Sequence, residues 1–101
     1  MLKQVWPVGF AKPPGGEIGS NNHALNFHTY CCTLSPETCM ETGEPAAGLE
    51  HACNDWHQLK FDTRAEDAER LGIPMILSEF GACMGSDVCI TEVKQVTDLA
   101  D

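Results

Sequence analysis

Along HALNFHTYC, residues 23–31, Leu25, Phe27 and Thr29 alternate with Asn26, His28 and Tyr30. That period of two predicts a strand with one apolar face and one hydrogen-bonding face. From Asn54 the period lengthens, with Trp56, Leu59, Ala65, Ala68 and Leu71 recurring at helical spacing. Asn54 or Asp55 stands where a first-turn cap belongs, and Gly72 with Pro74 closes the segment, so a helix is predicted over 54–72. Asp62, Glu66, Asp67 and Glu69 then fall mostly on its solvated side. IPMILSEF, residues 73–80, is a nearly continuous apolar run, the pattern of a parallel strand covered on both faces. Ser86 and Asp87 open a second helix, over 86–100, with Val88, Val93, Val96 and Leu99 as its buried stripe.

The remainder is punctuation. Residues 1–22, dense in Pro, Gly and Asn, read as a loop, and 32–53 as a long cysteine-rich connection without a sustained period. The order is loop, strand, connection, helix, strand, helix: a βαβα unit whose strands should be parallel, with a right-handed crossover. Two strands and two helices cannot cover both faces of a sheet or remove its edges. The expected fold class is therefore α/β, a piece of an all-parallel sheet or of a (β/α)₈ TIM barrel.

Charge narrows the partners. The net charge is −9, and residues 1–40 balance Lys3 and Lys12 against Glu17 and Glu37, so the deficit lies in the second half. An acidic surface argues against nucleic acid or an anionic membrane as partner. No stretch approaches the roughly 20 apolar residues of a membrane span, and the first twenty residues lack the apolar centre of a signal peptide. Six cysteines in 101 residues suit an oxidising compartment. Together these place the expected N-terminus upstream of Met1 and the protein in a secreted, extracellular or lysosomal setting.

In parallel α/β architectures, functional groups gather where strands end. His28 and Tyr30 close the first strand and Glu79 closes the second, so all three are expected at one sheet edge. The sequences "NFHTYCC" and "ILSEFG", with "GFAKPPGGE" upstream, resemble the sixth and seventh strands of the family-five glycoside hydrolases. These are retaining enzymes on a (β/α)₈ barrel, and the similarity is greatest to the endoglycoceramidase branch, which cleaves between glycan and ceramide. The resemblance spans about Gly9 to Cys89 and makes residues 1–101 a fragment of the C-terminal half of such a catalytic domain. It implies Glu79 as nucleophile, Tyr30 as the phenol that orients it, and His28 as a subsite residue contacting sugar or the acid/base. It also implies a glycan or glycosphingolipid substrate and no metal or organic cofactor. A retaining mechanism needs a second carboxylic acid roughly 5 to 5.5 Å from the first. In this family an Asn-Glu pair on the fourth strand supplies it, and the eighth strand supplies a sugar-binding Trp. Neither strand is among these residues, and Glu17, in a loop before the first strand, is not promoted to the role. The isolated chain, without the remainder of the barrel, is expected to be inactive.

The cysteines carry a competing reading. Cys31, Cys32, Cys39, His51, Cys53 and His57 hold enough ligands for zinc, but their spacing fits no tight finger pattern. Disulfides are favoured: Cys83 with Cys89, and Cys31 or Cys32 with Cys39 or Cys53. The alternatives to a hydrolase are a disulfide- or zinc-stabilised module without enzymatic activity, or a gene remnant that does not fold.

Overall fold

The computed structural model describes residues 4–16, 22–81 and 85–101, the side chain of Val88 excepted. Two strands, β1 (Leu25–Thr29) and β2 (Met75–Phe80), pair in parallel as a two-stranded sheet. Between them lie a 3-10 turn (Cys31–Leu34), a short helix α1 (Pro36–Thr42) and a long helix α2 (Glu50–Leu71); α3 (Asp87–Ala100) follows β2. The mixed α/β order and the parallel pairing agree with the sequence pattern. Among the described residues no barrel is formed.

The boundaries differ in instructive ways. Helix α2 begins at Glu50 rather than 54, after Leu49, and no side chain caps it. Asn54, expected to cap, lies one turn inside. The signal was the cysteine itself, since Cys53 opens the buried series that continues through Trp56, His57, Phe61, Asp67, Ala68 and Leu71 on one face of the helix. Leu59 and Ala65, assigned to that series from sequence, are exposed. Within the connection, Pro36 stands in the first turn of α1 and Gly43, at φ 79°, ends it in the left-handed conformation that glycine adopts without steric cost. Ser86 caps α3 as expected, its hydroxyl accepting from the Cys89 N–H.

The core lies on one side of the sheet. Phe27 and Phe61 meet edge to face with centroids 5.1 Å apart, and Val96 closes the cluster, with Met75, Leu77 and Leu99 packed against it. The opposite face is open: Asn26, His28, Ile76 and Ser78 are exposed. β2 is therefore not covered on both faces as its apolar run predicts.

Asp67 is a second departure. Instead of facing solvent it is buried, its carboxylate accepting from the Val8 N–H at 3.1 Å, Arg64 at 2.8 Å and Arg70 at 3.1 Å. The two arginines also donate to the carbonyls of Trp6, Val8 and Phe10. The loop around residues 6–10 is thereby strapped to α2 through Asp67 and the two arginines that flank it.

Candidate active site

Parallel pairing puts the ends of β1 and β2 at the same edge, but simple alternation would not bring Glu79 to the right face. Leu25 pairs with Met75, Asn26 with Ile76 and Phe27 with Leu77; then the register slips, so that His28 pairs with Glu79 and Thr29 with Phe80. Without the slip, His28 would face Ser78, and Glu79 would fall opposite the buried Thr29. One extra residue in β2 turns the carboxylate to the open face, as bulges do when they re-aim a side chain near a functional edge. Asn26 holds the extra residue, donating from Nδ2 to Ser78 Oγ at 2.7 Å.

The three predicted residues meet. The Tyr30 hydroxyl donates to Glu79 Oε2 at 2.8 Å, and His28 Nδ1 lies 3.4 Å from the same oxygen. No described residue hydrogen-bonds Oε1. The His28 and Glu79 side chains are 47% and 55% exposed, so the carboxylate is open to an incoming molecule. Its hydrogen bond to Tyr30, followed by desolvation and the carboxylate's charge, raises the phenol above its ordinary pKa. Among the described residues no second carboxylate shares a hydrogen bond with Tyr30, His28 or Glu79. Chemically the arrangement is an aimed carboxylate, with one oxygen fixed by a phenol and one free to react or to bind.

Beneath this edge lies a layer the sequence did not disclose. His57 and Glu92 have fully buried side chains 2.8 Å apart, Nε2 to Oε1. His57 Nδ1 lies 2.7 Å from Thr29 Oγ1, and Glu92 Oε1 also accepts from the Cys31 N–H at 3.0 Å. Trp56 donates from its indole to the Tyr30 carbonyl at 3.1 Å. A signal for Glu92 existed: it stands four residues from both Val88 and Val96, a charged residue on an apolar stripe.

The described cysteines are oxidised. Cys31 bonds to Cys53 and Cys32 to Cys39. Cys89 is also disulfide-bonded; the expected pairing with Cys83 falls on a residue outside the described ones, as does Glu17. With four cysteines consumed and His57 held between Thr29 and Glu92, the zinc alternative loses its ligands. Among the described residues no cluster of His, Cys, Asp and Glu could hold a metal ion, and no helix is long and apolar enough to cross a membrane.

Compared with protein-family models, curated proteins and solved structures, the chain matches none.

Proposed function

We propose that the chain is the nucleophile-bearing piece of a retaining glycoside hydrolase of the family-five type, endoglycoceramidase-like in substrate, in a secreted or lumenal setting. One observation carries the reading: Tyr30 and His28 converge on a single oxygen of Glu79 at the shared end of two parallel strands. The open sheet face and unpaired strand edges are where the remainder of a (β/α)₈ barrel would attach. The motif resemblance adds the sugar chemistry; the disulfides add the oxidising compartment.

In this reading Glu79 Oε1 attacks the anomeric carbon as the glycosidic C–O bond breaks, giving a glycosyl ester. The departing alkoxide takes a proton from a carboxylic acid on another strand. That group, now a base, then deprotonates a water that cleaves the ester and regenerates Glu79. The Tyr30 hydrogen bond favours the charged carboxylate and fixes its rotamer. A natural glycolipid needs the absent acid, whereas an aryl glycoside with a dinitrophenolate leaving group does not.

The test uses both substrates. The chain should release no free glycan from a ganglioside, yet release dinitrophenol from a dinitrophenyl glycoside above the buffer rate, with the excess lost in Glu79→Gln and reduced in Tyr30→Phe. Ganglioside hydrolysis lost on Glu79→Gln would contradict the inactive-fragment claim, and dinitrophenol release equal in wild type and Glu79→Gln would contradict the nucleophile assignment.

A further inference from the structure

We infer that the buried Glu92–His57 pair, reaching from α3 and α2, is a positioning device that holds the Tyr30 phenol against Glu79. Its chemical consequence rests on the reading of Glu79 as an aimed nucleophile. Its geometry and its test need only the Tyr30–Glu79 contact.

Three consecutive residues at the end of β1 are tied down from below. Thr29 meets His57 through its hydroxyl, Tyr30 is held by its carbonyl on Trp56, and Cys31 donates its N–H to Glu92 and is bonded to Cys53. Glu92 Oε1 is the common point, since it serves both the Cys31 amide and His57. Tyr30 itself stays extended, at φ −136° and ψ 128°, between the strand and the 3-10 turn. With the Thr29 side chain held before it and the Tyr30–Cys31 peptide group gripped at both its carbonyl and its N–H after it, the origin and direction of the Tyr30 side chain are set before the phenol reaches across to β2. A hydroxyl, an imidazole and a carboxylate in series resemble a catalytic relay, but Thr29, His57 and Glu92 are all buried to within 1%. No substrate reaches them, so they act through the residue they hold. Glu92 Oε2 is also buried and has no hydrogen-bond partner among the described residues. That uncompensated atom costs stability, as expected of a residue kept for placement rather than for stabilisation alone.

The chain contains one tyrosine, so phenolate absorbance during an alkaline titration reports Tyr30 alone. Glu79→Gln should lower the titration midpoint toward the ordinary phenol value of about 10. Glu92→Gln and Thr29→Val should lower it too, because a released phenol no longer lies against the carboxylate. Thr29→Ser, which restores the hydroxyl, should return the midpoint to the wild-type value. Asp67→Asn alters an equally buried carboxylate that does not touch the β1 end, and should leave the midpoint unchanged. A merely structural Glu92 and Thr29 would weaken the fold without moving the Tyr30 midpoint, and that result overturns the inference. If circular dichroism shows Glu92→Gln unfolded, Thr29→Val decides alone, with an unmoved midpoint overturning the inference and a lowered one, rescued by serine, supporting it. No glycoside enters the experiment, so its failure is distinct from failure of the hydrolase reading.

Discussion

Removing the two described disulfides one at a time should separate their contributions by a measurable margin. Cys31–Cys53 closes a separation of 22 residues and Cys32–Cys39 one of 7. Loop-closure entropy then assigns about 3.4 kcal/mol to the first and about 2.4 kcal/mol to the second, as stabilisation through the unfolded chain. Burial widens the gap in the same direction. Cys31 and Cys53 are essentially inaccessible, so Cys→Ala there also removes packed sulfur, whereas Cys32 and Cys39 are only half-buried. The longer bond further anchors the residue after Tyr30 to α2, while the shorter one closes only the connection through α1. Urea unfolding followed by circular dichroism reads the difference: at a slope of about 1.5 kcal/mol per molar, a gap of about 1 kcal/mol moves the midpoint by roughly 0.7 M. The Cys31→Ala/Cys53→Ala variant should therefore unfold at lower urea than Cys32→Ala/Cys39→Ala. Limited reduction followed by alkylation should modify Cys32 and Cys39 first. Equal midpoints, or the reverse order in either assay, would refute the reasoning.

Other consequences follow from the core, the strap and the site. Phe61→Ala removes one partner of the edge-to-face pair under the sheet and should cost about 3–5 kcal/mol in the same urea assay. For Asp67, burial alone would raise the carboxyl pKa, but the Val8 N–H, Arg70 and Arg64 outweigh it and hold the group below its ordinary range. Its stabilisation is then full above the unfolded value of about 3.9 and is lost as the pH falls through the folded one. Asp67→Asn should lower stability at neutral pH and flatten the decline below about pH 4, as read by thermal melts across an acid series. For Tyr30 the sign is opposite: its folded pKa is raised, so its small contribution is present below about pH 10 and fades as the pH rises through the folded value, a step Glu79→Gln should abolish.

The sequence made some of this legible because it carries periodicity and end signals. Ser86 and Gly72 marked a helix start and a helix end, and alternation around Phe27 gave β1 its buried and open faces. Parallel order alone placed His28, Tyr30 and Glu79 at one edge. The bulge was not legible, because a one-residue slip in a hydrogen-bonded ladder leaves no mark in composition, yet it decides which face Glu79 takes. Asp67 and Glu92 are hard to place from sequence because their charge points to solvent while their position points to the core. Each lies within a helix's buried series, where a carboxylate needs partners, and Arg64 and Arg70, flanking Asp67 at three residues on either side, were such partners in plain sight. The start of α2 is obscured in the sequence because Cys53 follows a stretch without a period, although it stands one turn before Trp56 and His57 as the first buried residue of the helix.

The central claim is that Glu79 is a carboxylate aimed to form a bond with a sugar. Incubating the chain with an activated 2-deoxy-2-fluoroglycosyl donor, whose leaving group needs no acid catalyst, and mapping the modified peptide by mass spectrometry tests it directly. The account predicts one glycosyl adduct on Glu79, slowed in Tyr30→Phe and absent in Glu79→Gln. No adduct, or an adduct on another residue that survives Glu79→Gln, would contradict it.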